Sequence, residues 1–388
     1  MKIDYKIEND IFNLYFDGEI NSTNSQEVEE KINEALKENK DNLDIIFDVE
    51  KLTYISSAGL RIVLKEYKAH PTLKIINANV EVYDIFDMTG FTKIMNISKA
   101  YKQYDVSNCK IIGEGAKGIV YRYNNDTIIK VYKELDVLDE ITKERELSKK
   151  AFVLGLPTAI SFDVCKVGNK YGSVFELLDC DSLSQVIKDN PQNVVSYAKR
   201  YALLLKQIHE TLVDTTDMTN SKYVIYVWLE KCEPFFKKET FKKLKQMVDD
   251  IPDNNTLVHG DYHTHNVMVQ NDEFILIDMD TLGYGNPIID LANVDFSYKT
   301  VLEVEPDNLQ KFLGLTNNVG NTLYEVFLET YFETKDEKIL QEKGLKIDLL
   351  SYLRIIYHFT KRNKFLDEVQ EIIKKVETLV QNIDSLII

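Results

Sequence analysis

The chain has 388 residues, 44% of them hydrophobic, which is ordinary for a folded protein and enough for two or three domains, each with its own core. Its formal net charge is −16, spread along the chain. That acidity argues against nucleic acid or an anionic membrane as the main partner, and leaves room for a small cationic substrate. No window holds roughly 18 apolar residues, and the first residues lack a signal-peptide apolar stretch, so a cytoplasmic protein is expected. The four cysteines (Cys109, Cys165, Cys180, Cys232) show no CxxC spacing and are expected to be reduced and packed.

Residues 1 to about 100 alternate between strand and helix patterns. Ile11–Phe16 alternates as a strand, Ser22–Glu27 offers a helix start running to about Leu36, and Leu43–Asp48 and Leu73–Asn77 are buried strand candidates. Between the last two, Tyr54-Ile-Ser56-Ser57-Ala-Gly59-Leu60 moves from strand through a serine turn into a helix. Strands separated by helices imply a small α/β layer. The Tyr54–Leu60 segment, with Phe86-Asp-Met-Thr-Gly-Phe91 after it, resembles the STAS fold of bacterial anti-sigma-factor antagonists. The resemblance implies a protein partner and marks Ser57 as the position phosphorylated by a partner kinase; Ser56 stands where the family commonly has Asp. A phosphate would add roughly −1.5 to −2 charge at a helix N-terminus, which tolerates anions, while a partner packed there would feel the change. Alternatively, Ser56 or Ser57 is simply an N-cap.

Residues 101–108 are expected as a short connector, and 109–180 as the first lobe and hinge of a second domain. Gly113-Glu-Gly115-Ala-Lys-Gly118-Ile-Val120 fits a GxGxxGxV loop, whose glycines let backbone approach phosphates. Lys130 follows in the strand Thr127–Tyr132. A helix over about 139–151 offers Glu144 as its carboxylate partner, with Glu146 as runner-up. Gly172–Leu178 reads as a strand entering a connector, where backbone at Glu176 and Leu178 would meet the base of a nucleotide and Phe175 would line the pocket. Helices are expected over 182–188 and 194–211.

His259-Gly-Asp261-Tyr-His263-Thr-His265-Asn266 has the Asp-x4-Asn spacing that sets a base and a metal ligand on one loop, and Asp278 follows a short apolar strand. Three of the six histidines cluster here, but no cysteine supplies zinc-ligand spacing. Glycine loop, strand lysine and this Asp/Asn/Asp set, in this order, point to phosphoryl transfer from a nucleotide. Residues 109–297 resemble the aminoglycoside/choline phosphotransferase family, which shares the protein-kinase fold, through His-Gly-Asp261-x-His-x-x-Asn266, Ile277-Asp278-x-Asp280 and Gly285-Asn-Pro-Ile-Ile-Asp290. The resemblance implies Gly113, Gly115, Gly118, Val120, Lys130, Glu144, Glu176 and Leu178 at a nucleotide, Asp261 at the acceptor hydroxyl, and Asn266 and Asp278 on Mg²⁺, with Asp280 assisting. Asp290 is expected to cap a helix and tie the loop.

The expected fold class is thus α/β plus α+β: a STAS-like α/β domain (1–100), then a bilobal kinase-like fold whose helical C-lobe occupies 181–388. The expected activity is transfer of phosphate from ATP, with GTP open, to a hydroxyl of a small molecule. The alternatives are a signalling kinase acting on a STAS serine and a non-catalytic nucleotide-binding regulator. Too few residues separate Asp278 from Asp290 for a long peptide-binding segment, which favours the small acceptor. Aromatics at Tyr223, Tyr226, Trp228, Phe235, Phe236, Tyr324, Phe327, Tyr331 and Phe332 are expected as core more than as pocket lining.

Overall fold

A computed structural model describes residues 1–388 apart from 41, 42, 116, 136, 179, 217 and 363–366. The chain forms two compact units, 1–105 with 165–169, and 106–164 with 170–388. Ala116, inside the expected glycine loop, lies outside the described residues. No described helix is long and apolar enough to cross a membrane.

The first unit is built on a five-stranded sheet whose strands follow sequence order: Lys2–Glu8, Ile11–Ile20, Asp44–Ile55, Lys74–Ala78 and Asn96–Lys99. The first two form an antiparallel hairpin, and the others run parallel. Parallel neighbours need crossovers, supplied by the helices Ser25–Leu36, Ser57–Ala69 and Val80–Met88. Asn9 and Asp10, both at positive φ (53° and 60°), make the tight hairpin turn. Phe12, Leu14 and Phe16 alternate into a core shared with Val28, Ile32, Phe47, Ile75 and Phe86. Two strands lie outside the sequence expectations. Lys2–Glu8 alternates Ile3, Tyr5 and Ile7 with charged residues but is an edge strand exposed along most of its length, and Asn96–Lys99 lies partly in a polar stretch that begins at Ile97.

The serine turn is resolved in detail. Ser56 is the N-cap, its Oγ accepting from Gly59 N at 3.4 Å, and Ser57 is the first helical residue, with its side chain exposed. Gly59 is a packing requirement. A Cβ there would stand 2.7 Å from side-chain carbons of both Ile20 and Ile55.

In the second unit the strands Lys110–Glu114, Gly118–Arg122, Thr127–Tyr132 and Lys170–Glu176 pair in that order, all antiparallel. The helix Leu138–Val153 follows the third strand. The remaining body is helical, with Leu183–Asp189, Val194–Glu210, Lys222–Cys232, Ile288–Tyr298, Asn317–Tyr331, Glu337–Lys361 and Asp367–Asn382 enclosing a large apolar core. Ile288–Tyr298 is buried at every residue and forms the axis of this body. Among the described residues the stretch from Asp278 to this helix holds one 3-10 turn, Met279–Thr281, and a two-residue strand, Gly283–Tyr284.

Gly59→Ala is expected to lower the stability of the first unit by about 1–3 kcal/mol through overpacking. Hydrogen exchange at Ile11–Ile20 and Asp44–Ile55 in the full-length protein checks this; unchanged protection there would mean the turn yields without cost.

Candidate active site

The loop His259–Asn266 lies between a two-residue strand, Leu257–Val258, and a hairpin of Val267–Gln270 with Glu273–Leu276. Its backbone is fixed by one carboxylate. Asp290, with no exposed surface, accepts from His259 N and from Gly260 N, both at 2.7 Å, and pairs with His209 Nε2 at 3.0 Å. Burial works against its negative charge, but the His209 contact and these donors outweigh it, so its pKa lies below the usual carboxylate value. Asp290 therefore ties the loop as expected, but it does not cap its helix. It lies inside the first turn, and the cap position is Pro287.

Gly260 requires glycine twice over. Its φ is 85°, and a Cβ would meet Thr281 O at 2.7 Å. Thr281 Oγ1 donates to His259 O at 2.8 Å, and Asn293 Nδ2 donates to Gly260 O at 2.7 Å. Further along, Tyr262 and Tyr201 stack with ring centroids 4.4 Å apart and exchange hydroxyl-to-carbonyl hydrogen bonds. Thr264 bonds the hydroxyls of Ser184 and Tyr298 at 2.6 and 2.8 Å. The loop is thus held at almost every residue.

Asp261 faces His263 Nε2 at 3.5 Å and Arg354 Nη2 at 3.7 Å. Burial alone would raise its pKa, but His263 first and then Arg354 and His259 bring it down to about 2, so it stays ionised at neutral pH. His259 is fully buried and its pKa is lowered by that burial. Its Nδ1 accepts from Asp261 N at 3.3 Å, and its Nε2 has no partner among the described residues. His259 braces the loop as expected, and no described group of three or more His, Cys, Asp or Glu residues has the arrangement of a metal centre.

Asn266 is joined to Asp261 through Nδ2, which donates to Asp261 O at 3.0 Å, and to the residue that follows the strand Glu273–Leu276 through its carbonyl, which accepts from Ile277 N at 3.0 Å. Asp278 follows in a left-handed conformation, φ 60° and ψ 65°. A non-glycine residue there is uncommon and marks a position whose side-chain direction is imposed. Its Oδ1 lies 3.3 Å from Lys130 Nζ, which also contacts Glu144 Oε1 at 3.1 Å. Burial would lower the Lys130 pKa, but Glu144 and Asp278 outweigh it and keep the ammonium charged. Tyr132, which no sequence pattern singled out, holds the other Glu144 oxygen at 2.8 Å. Glu146, the runner-up, is exposed. Asp280 pairs with Lys117 of the glycine loop.

The rest of the nucleotide set falls on the facing strands. Gly113 lies opposite Val120, and Gly115 N donates to Gly118 O at 2.9 Å, closing the turn. At Gly118 a Cβ would meet Val131 O at 2.7 Å, so glycine is needed to let the neighbouring backbone approach. Glu176 ends its strand opposite Thr127, Leu177 N donates to Asp126 O, and Leu178 follows partly buried. Asn266 and Asp278 present amide and carboxylate oxygens, the donor set that suits a hard cation such as Mg²⁺, which takes few protein ligands and completes its shell with phosphates and water.

Of the aromatics expected as core, Tyr324 and Phe327 are buried, Tyr226, Phe235, Phe236, Tyr331 and Phe332 pack half-buried against the core, and Tyr223 is exposed; Tyr324 OH donates to Asp295, and Tyr331 OH bonds His209. Trp228 instead joins Asp261 at a cavity wall with Asn293, Arg354, Tyr357 and His358, none of the last four anticipated. Two faint signals pointed to them. Asn293 is one helical turn past Asp290, and Arg354, Tyr357 and His358 repeat at i, i+3 and i+4 in the more apolar second half of their helix.

Residues 108–300 match the family model of the phosphotransferase enzyme family (APH), and residues 2–104 match the STAS domain. A protein described as anti-sigma factor antagonist BtrV of Bordetella bronchiseptica is 30% identical over 87 residues, 21% of this chain and 73% of that protein. Among solved structures, ADP-bound aminoglycoside phosphotransferase APH(2'')-Ib is similar at 15% identity and a TM-score of 0.47, over 76% of this chain and 98% of that one. A choline/ethanolamine kinase family protein from Mesorhizobium loti is similar at 14% identity and a TM-score of 0.42, over 70% of this chain and 88% of that one. Likeness at these scores adds nothing to the family matches.

Asp290→Ala would leave two loop N–H groups and His209 without their acceptor, and is expected to lower stability by about 3–5 kcal/mol. Urea unfolding of the full-length variant checks this, and a loss below about 1 kcal/mol would contradict the tie. The chain belongs to the STAS family through residues 2–104 and to the phosphotransferase enzyme family through residues 108–300, the latter making it a kinase with an alcohol group as phosphate acceptor.

Proposed function

We propose that this protein transfers the γ-phosphoryl group of ATP to a hydroxyl of a small molecule, with the STAS domain as a regulatory or docking module. The observation that supports this most directly is a continuous chain of contacts. Glu144 holds Lys130, Lys130 reaches Asp278, the hairpin leading to Asp278 is bonded to Asn266, and Asn266 is bonded to Asp261. A loss of position anywhere along it would be felt at Asp261.

In this reading Gly113, Gly115 and Gly118 let backbone approach the phosphates, Val120 covers the base, and backbone at Glu176 and Leu178 meets its edge. Lys130, kept charged by Glu144, neutralises phosphate oxygens. Asn266 and Asp278 would hold Mg²⁺, which supplies charge neutralisation across the phosphates when bound. Asp261 accepts the acceptor's hydroxyl proton as the oxygen bonds to the γ-phosphorus and the bridging P–O bond breaks, releasing ADP. An Asp with a pKa of about 2 is a weak base. Its contribution is therefore greatest late, when the attacking oxygen has already lost electron density to phosphorus, and orientation of the hydroxyl is the larger part of its task.

A second reading, in which the acceptor is a STAS serine in cis or in trans, is favoured by one observation: Ser57 is exposed at the first helical position, beside a serine that already caps the helix. A phosphate at Ser57 would not remove the cap.

One experiment addresses both. The purified protein is incubated with labelled ATP, Mg²⁺ and a panel of small alcohols, following ADP release and the site of label. Asp261→Asn is expected to lower turnover by about 10²–10⁴-fold with nucleotide binding retained. Equal turnover would remove Asp261 from its role. Label on Ser57 that vanishes in Asp261→Asn would transfer the acceptor role to the STAS serine.

A further inference from the structure

Beside Asp261 lies a cavity of about 230 Å³. Trp228 and Tyr357 give it aromatic walls, and among its lining residues Asp261 is the one carboxylate, while Arg354 and His358 bring cationic or ionisable nitrogen. This local balance runs opposite to the chain's net charge of −16.

Arg354 is fixed in place without being consumed. Its Nη1 donates to Asn293 Oδ1 at 2.6 Å, and its guanidinium packs over Phe296 with Cζ 4.3 Å from the ring centroid. Asn293 is itself pinned to Gly260 O, so the guanidinium is referenced to the backbone of the loop that carries Asp261. The Asp261 oxygen is 3.7 Å from Nη2, outside hydrogen-bond range and not a bidentate pair. A guanidinium offers five N–H donors in a planar fork that fits a carboxylate or a phosphate. Among the described residues only the bond to Asn293 uses one of them. A polycationic acceptor would meet the opposite situation: a like charge at Arg354 and one carboxylate already flanked by it.

We infer that the acceptor alcohol carries an anionic group, carboxylate or phosphate, held by Arg354, with its hydroxyl directed at Asp261. The hydroxyl half of this rests on the kinase reading above, and the anionic half rests on the cavity alone. Arg354 lies beyond residues 108–300 of the family match, on the helix Glu337–Lys361, so the matched segment alone would not reveal it.

Trp228 is the chain's single tryptophan and stands in the cavity wall, so its fluorescence reports occupancy without turnover. The full-length protein is titrated with glycerate, malate and glycerol 3-phosphate, and in parallel with choline and kanamycin. A saturable change with at least one anion, weakened more than tenfold in Arg354→Gln and partly restored in Arg354→Lys, supports the inference. The preference between glycerate and glycerol 3-phosphate separates carboxylate from phosphate. Circular dichroism confirms that the variants fold. Silence toward all three anions, or saturable binding of choline or kanamycin that is undiminished in Arg354→Gln, overturns it. ADP binding is measured separately: its absence would remove the kinase reading while leaving the anion site standing, and turnover of a cationic alcohol alone would do the reverse.

Discussion

A single buried carboxylate organises the site. Asp290 has no exposed surface, and an isolated charge in that position would be strongly unfavourable. It is tolerated because two backbone N–H groups and His209 converge on its two oxygens. The same bonds that satisfy Asp290 fix the backbone at His259 and Gly260, and hence the direction in which Asp261 leaves the loop. Gly260 completes the arrangement, since its left-handed φ and its contact with Thr281 admit no side chain. The anchor sits on Ile288–Tyr298, the most deeply buried helix of its unit, so the loop is referenced to the core and not to the surface.

Much of this was legible in the sequence where a backbone requirement or a charge forces one residue type. The glycines of Gly113–Gly118, the lysine within Thr127–Tyr132 and the Asp261/Asn266 spacing are local, and the strands and loop formed around them. The serine turn was legible for the same reason, and the structure divides its two roles between Ser56, which caps, and Ser57, which is exposed. Distance along the chain favours Glu144 over Glu146; the structure adds the physical reason, because Glu144 faces inward where Lys130 and Tyr132 both reach it.

What stayed hidden depends on tertiary approach. Lys2–Glu8 does alternate, with Ile3, Tyr5 and Ile7 between charged residues, but it is a short edge strand with little buried surface, and what makes it a strand is its pairing with Ile11–Ile20. Arg354 and His358 meet Asp261 in space but follow it by some 90 residues along the chain (354 less 261 is 93), and nothing in their neighbourhood marks them beyond a shared helix face. Net charge is an average over the whole surface and does not report the balance at the site. The cavity beside Asp261 is set by a few side chains, and there the cationic nitrogens are at least as numerous as the carboxylates.

The central claim is that Lys130, Asn266 and Asp278 form one site for a metal-bound nucleotide. Calorimetric titration of a non-hydrolysable ATP analogue, with and without Mg²⁺, into the wild type and Asp278→Asn tests it most directly. The account predicts that Mg²⁺ tightens binding at least tenfold in the wild type and that most of this gain disappears in the variant. Binding that ignores Mg²⁺ in the wild type, or a gain that survives intact in Asp278→Asn, would contradict it.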